Sequence, residues 1–171
     1  MIFLAVAAVI AHGAPEMALA ERGKPADRMI VAPAGSGPSI VHAAAELQRY
    51  VKGLTGVELP VAQSATGPAI RLEQTDDYGE DGFRITARPP DLVVRGGVRG
   101  CLYGVYEILE THGGVGWFAS WRTVVPRIER LSVPSSLDDE QRPAFSMRMT
   151  SWLDATRGDF AAGRSRRSTG R

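Results

Sequence analysis

The chain has 171 residues, a formal net charge of +1, 44% hydrophobic and 23% charged residues, so wholesale disorder, a collagen-like repeat and a coiled coil are excluded. The charge is unevenly placed. Residues 157–171 carry five Arg and one Asp, residues 1–20 carry only Glu16, and the stretch 21–156 is −2, which argues against a nucleic-acid-binding body. A single cysteine, Cys101, and three scattered histidines, His12, His42 and His112, leave no disulfide framework and no metal-ligand spacing, so no metal and no cofactor is expected.

Ile2–Ala11 is an uncharged apolar run of ten residues, too short for the ~20 residues that a membrane-spanning helix needs. Small residues follow, ending in Ala18-Leu19-Ala20, so residues 1–20 read as a signal peptide cut near Ala20. No Lys or Arg precedes the run, and a buried N-terminal element is the alternative. No other segment is long and apolar enough for a membrane span, and the expected location is secreted or periplasmic.

Arg28–Pro33 reads as a first strand, stopped by Pro33 and Gly35-Ser36-Gly37. A helix follows from Pro38 to about Leu54. Ile40, Ala43, Ala44, Leu47, Tyr50, Val51 and Leu54 form one apolar stripe, and Gly53 and Gly56 supply the stop. Val57–Val61 and Ala69–Leu72 are short strand candidates. Beyond the acidic segment Asp76–Gly82, the alternating runs Phe83–Thr86 and Leu92–Arg95 flank Arg88-Pro89-Pro90-Asp91, the pattern of a hairpin.

A second helix starts near Val98. Leu102, Val105, Tyr106, Leu109 and His112 make its stripe, with Cys101 and Ile108 beside it. Gly100 and Gly104, four apart, each cost ~1 kcal/mol relative to Ala in a helix and so point to close backbone packing. Val115–Phe118 is a strong strand, and Thr123–Pro126 and Arg130–Val133 are short extended pieces. The resulting order, β-α-β-β-β-β-α-β, predicts an α+β fold: a mainly antiparallel sheet with two helices packed on one face.

Several of these segments are also familiar in order. Gly96–Glu110 (GGVRGCLYGVYEILE), Gly116-Trp117-Phe118, Val125-Pro126, Leu131–Pro134 and Arg142–Arg148 follow Ala45–Tyr50 and Gly79–Ile85. Over about residues 28–148 the chain resembles the N-terminal domain of secreted α-glucuronidase-like glycoside hydrolases. It is also similar to the second domain of β-N-acetylhexosaminidases. The resemblance implies an α+β accessory domain over 28–134, and a linker with the beginning of a TIM barrel over 135–162. Phe145–Arg148 resembles the first barrel strand, and Asp159–Ala162 the start of the next helix. Residues 163–171 (GRSRRSTGR) depart from the family as an Arg-rich tail, so the barrel looks truncated.

In such enzymes the catalytic carboxylates belong to the barrel, so no catalytic residue is assigned to this chain. The implied role is non-catalytic support of a carbohydrate-active enzyme in xylan or glycan breakdown, with the chain's own C-terminal barrel as partner. The alternative is a stand-alone carbohydrate-binding or interaction module that takes an oligosaccharide. A nonfunctional truncated product is a third reading.

Among candidate residues, Trp117 and Trp121, with Phe118, could stack on a sugar, although core packing or a domain interface explains them more simply. Asp76, Asp77, Glu80 and Asp81 form an acidic cluster that could pass for a carboxylate pair, which glycosidases hold ~5–10 Å apart, or for a cation loop. Its two glycines and a tyrosine favour a solvated turn. Glu107 and Glu110 flank the second helix's stripe and read as a solvated face. Cys101, His42 and His112 read as packed residues. Gly96-Gly97…Gly100 lacks the lysine and spacing of a phosphate loop.

Overall fold

A computed structural model describes residues 15–119 and 121–145. The apolar run 2–11, the resemblance to a barrel strand beyond Phe145, the helix start at 159–162 and the tail 163–171 all lie outside the described residues.

Ten strands and two helices follow one another: β1 (Glu16–Glu21), β2 (Met29–Val31), α1 (Pro38–Thr55), β3 (Val61–Ala62), β4 (Ala69–Gln74), β5 (Phe83–Arg88), β6 (Asp91–Gly96), α2 (Gly100–Thr111), β7 (Gly116–Ala119), β8 (Arg122–Val124), β9 (Arg130–Pro134) and β10 (Asp138–Gln141). The class is α+β. The central sheet has six strands in the order β10-β5-β6-β4-β2-β3. It is mixed: β10–β5 and β5–β6 are antiparallel, whereas β6–β4, β4–β2 and β2–β3 are parallel. The parallel pairing of β3 with β2 follows from α1, a crossover long enough to return the chain beside β2 in the same direction. Two antiparallel ribbons, β1–β9 and β7–β8, complete the described strands.

Both helices pack against each other and against β4, which places them on one face of the sheet. Helix α1 buries the whole expected stripe from Ile40 to Leu54, and Pro38 opens it at a position where no backbone N–H is needed. In α2 the buried set is Cys101, Val105, Ile108 and Leu109 with Gly100 and Gly104, while Leu102 and Tyr106 are only partly covered. The stripe is thus turned one residue towards the N-terminus, because the glycines bring this side closest to the sheet. These faces, Ile70, Leu72, Ile85 and Val94 from the sheet, and Leu19, Leu131 and Val133 from the β1–β9 ribbon form one core.

The described elements bear on three boundaries drawn from the sequence. Ala18-Leu19-Ala20, read as a cleavage motif, is the middle of β1; Leu19 is fully buried and the strand pairs with β9 from Glu16↔Pro134 to Glu21↔Arg130. The folded domain also runs on past 134, since β10 pairs with β5 through Asp138↔Thr86 to Gln141↔Phe83. Of Val57–Val61 only Val61 enters a strand, with Ala62; Val57 and Leu59 are buried without being paired there.

On the sheet face away from the helices, one row crosses four strands: Glu140, Arg84, Arg95 and Glu73 stand directly opposite one another in register. Arg95 holds Glu73 at 2.6 Å and Arg84 holds Asp138 at 2.7 Å through both oxygens. The two like charges at the centre are therefore flanked by carboxylates, which offsets their repulsion.

Candidate functional site

The sequence-predicted aromatic residues sit on and beside the β7–β8 hairpin, but in two different environments. Trp117 is turned inward onto the helices. Its indole N–H donates to the Tyr50 hydroxyl at 2.9 Å, and its ring meets Tyr50 and Tyr106 edge-on, with centroids 5.4 and 5.0 Å apart. Tyr106 in turn donates to Glu46 at 3.1 Å, and Arg49 grips both oxygens of Glu46 while lying over the Tyr50 ring at 4.3 Å. Burial pushes the Tyr106 hydroxyl up to about 12, with Glu46 adding to the rise. Burial works against the Glu46 carboxylate too, yet the hydrogen bonds from Arg49 and Tyr106 outweigh it and hold the carboxyl below its ordinary value. The indole's one donor is thus already used, and 36% of Trp117 remains exposed.

Phe118 and Trp121 face outward. Successive strand residues point to opposite sides, so Phe118 leaves the sheet on the side away from Trp117. Phe118 is 71% and Trp121 65% exposed, and the Arg122 guanidinium stands 5.8 Å from the Phe118 ring. The structure does not bring Trp117 and Trp121 into one stacked pair. Trp121 and Phe118 instead offer exposed rings near the hairpin turn, with Arg122 beside Phe118.

The acidic segment is a turn that closes the start of α2. The first N–H groups of a helix have no partner inside it; here the Glu80 carbonyl accepts from the amides of Arg99 (2.9 Å) and Gly100 (3.1 Å), and the Gly82 carbonyl from Gly97 (3.1 Å). Such an approach needs glycines. A Cβ at Gly97 would strike the Gly79 carbonyl, and one at Gly100 the Gly82 carbonyl. Arg99 clamps Asp81 at 2.6 Å and Glu80 at 2.9 Å, and Asp77 accepts from Thr75 at 2.8 Å. The glycine-rich motif and the acidic cluster are therefore two halves of one helix cap.

A cleft of about 360 Å³ opens beside this cap, lined by Tyr78, Glu80, Asp81, Arg99, Arg142 and Phe145. A second, of about 260 Å³, adjoins it and adds Tyr103, Tyr106, Glu107, Glu110 and Gln141. Arg142 is common to both; it donates to the Asp77 carbonyl at 2.9 Å, pairs with Glu140 at 2.7 Å and lies 5.0 Å from the Tyr78 ring centre. The clefts present tyrosine rings with donors and acceptors of both signs. Sequence reasoning missed them, because they exist only once β10 sets Gln141 and Arg142 against a turn some sixty residues earlier. The only local hint is that Arg142-Pro143 follows a run of acids.

The remaining candidates are structural. Cys101 is fully buried, its thiol donating to the Glu73 carbonyl at 3.2 Å, and burial pushes it up to about 12, far from a reactive thiolate. His112 is half-buried and held below its ordinary value by that burial, whereas His42 is exposed on α1 and not packed as expected. Among the described residues no three or more His, Cys, Asp or Glu are placed to hold a metal ion, and no helix is long and apolar enough to cross a membrane.

No family model matches the chain, and no curated protein sequence does so significantly. The fold is found in solved glycoside hydrolases. The chain superposes with a TM-score of 0.57 and 18% identity on an N-acetyl-β-hexosaminidase of Streptomyces plicatus, covering 78% of this chain and 24% of that one. A family GH20 β-N-acetylhexosaminidase of Streptomyces coelicolor gives 0.56 and 15%, with 78% and 25% covered. A family GH115 4-O-methyl-α-glucuronidase with specificity for decorated arabinogalactans gives 0.56 and 17%, with 73% and 18% covered. The chain thus spans a quarter or less of each of these proteins, and what it shares with them is the fold of one α+β unit in a glycoside hydrolase.

Proposed function

We propose that this chain is a non-catalytic accessory domain of a secreted carbohydrate-active enzyme resembling an α-glucuronidase. Its partner is a catalytic TIM barrel that follows it in sequence, and the whole protein acts in xylan or related glycan breakdown. The observation that carries the reading is the pairing of a fold that occupies a quarter or less of known glycoside hydrolases with carboxylates already committed to arginines. Asp81, Glu80, Glu46, Asp91 and Glu73 all lie within 3 Å of a guanidinium nitrogen. An acid–base pair needs one carboxyl kept neutral beside another kept charged, whereas Arg49 and Tyr106 hold the Glu46 carboxyl below its ordinary value. The exposed Phe118, Trp121 and Phe145 suit a surface that packs against a neighbouring domain.

The purified chain is expected to release no aryl alcohol from an aryl glucuronide or aryl N-acetylhexosaminide. Turnover that disappears on changing Glu80, Asp81, Glu107 or Glu110 to the amide would overturn the reading. A second reading, a stand-alone carbohydrate-binding module, is favoured by Trp121 alone, whose ring is bare enough to stack on a sugar. Calorimetric binding of a glucuronoxylan oligosaccharide that is lost in Trp121→Ala would establish that reading in place of the first.

A further inference from the structure

We infer that the two joined clefts beside Arg142 form one binding site for an uncharged stretch of oligosaccharide and disfavour a uronate-bearing one. This deepens, and rests on, the reading of the protein as carbohydrate-active. The clefts, about 360 and 260 Å³, share Asp81, Arg142 and Pro143. Joined, they have the size of a small-ligand pocket, ~300–1,000 Å³. Tyr103, Tyr106, Glu107 and Glu110 recur at spacings of three and four, so they share the face of α2 opposite its buried side and form one wall. Gln141 and Arg142, at and just after the end of β10, form the facing wall.

A pyranose ring offers an apolar C–H face to aromatic rings and a rim of hydroxyls that both donate and accept. The joined clefts suit both, and their walls are already fixed. The Tyr106 ring is braced by Trp117 at 5.0 Å and its hydroxyl is engaged by Glu46, while Arg99 is held by Asp81 and Arg142 by Glu140. Little ordering therefore opposes binding. The Tyr103 hydroxyl and the Glu110 carboxylate have no hydrogen-bond partner among the described residues, and Glu107 accepts from Thr111 through one oxygen only. These groups are left to meet sugar hydroxyls. Charge then selects within the class. Four carboxylates, Glu80, Asp81, Glu107 and Glu110, stand against two guanidiniums, Arg99 and Arg142. Both guanidiniums already face carboxylates, so an entering uronate would meet like charge that nothing offsets.

The test is calorimetric titration of the full chain with xylotriose, and with xylotriose carrying one glucuronate on its central residue. Xylotriose is expected to bind, and its acidic counterpart to bind at least about tenfold more weakly. Tyr103→Ala should weaken xylotriose binding about tenfold by removing a contact ring. Glu110→Gln, an exposed change that leaves the core intact, should instead narrow the gap between the two ligands. Trp121→Ala should leave both affinities unchanged. No binding of either ligand, equal affinity for the two, or affinities indifferent to both Tyr103→Ala and Glu110→Gln would overturn the inference. The accessory-domain reading would survive any of these, because release of aryl alcohol decides it separately. Binding lost only in Trp121→Ala would also overturn the inference and move the sugar to the β7–β8 hairpin.

Discussion

Cys101 sits beneath the first turn of α2 with its thiol against carbonyl oxygens of β4 and β6, a place where a thiolate would face only acceptors. Its pKa rises from 9.0 in the open chain to about 12 in the fold. Because the folded value is the higher one, the stabilisation is fully present below pH 9 and is lost as pH rises towards 12. Each tenfold change in proton affinity is worth ~1.4 kcal/mol, so several kcal/mol are at stake over that interval. Urea midpoints measured between pH 8 and 11 are expected to fall steeply in the wild type. In Cys101→Ala the fall should begin only above pH 10, where Tyr106 starts to contribute in the same direction. The two tryptophans should separate just as clearly. Trp117→Phe leaves the Tyr50 hydroxyl without its donor and is expected to cost ~1–3 kcal/mol. Trp121→Ala should fall within ~0.5 kcal/mol of wild type. Equal costs in urea denaturation would show that the environments assigned to the two rings are wrong.

Among the elements, β1 commits Met17, Leu19 and Ala20 to the core. Leu19→Ala is expected to destabilise by ~2–5 kcal/mol, read as a lowered urea midpoint; a change below ~0.5 kcal/mol would mean that the ribbon is not part of the folded unit. The helices and the β5–β6 hairpin were legible in the sequence because their apolar residues repeat with the period of the element that buries them. The two strands at the ends of the domain were not. In β1, Met17, Leu19 and Ala20 continue the small, apolar character of the preceding run, so the strand is hidden by its own neighbours. In β10 (Asp138-Asp139-Glu140-Gln141) no residue is apolar, and pairing with Arg84 decides the conformation. That pairing also holds the Asp138 carboxyl below its ordinary value. Propensity says nothing about a strand whose side chains are held by a partner fifty residues away. The same blindness applied to the site. Packing was the simpler expectation for Trp117, but its partners, Tyr50 of α1 and Tyr106 of α2, could not be read from the sequence.

For the molecule as a whole, the described fold runs from β1 to β10, wider at both ends than the 28–134 domain expected from pattern alone. Its near-neutral body is explained by the outer sheet face, where guanidinium and carboxylate groups are matched across strands rather than gathered into a field of one sign. The outward aromatic hairpin and the polar clefts beside Arg142 are separate features of the surface. An enzyme domain packed on this one could cover the first and leave the second wet. The β1–β9 ribbon has a further consequence, which lies in time rather than space. Ser132 bonds to Glu16 across 116 positions of sequence, and β10, which closes the sheet edge, is later still. Contacts this distant must wait for the loop between them to close, which slows folding. During synthesis the first strand therefore remains without its partner until nearly the whole domain has been made.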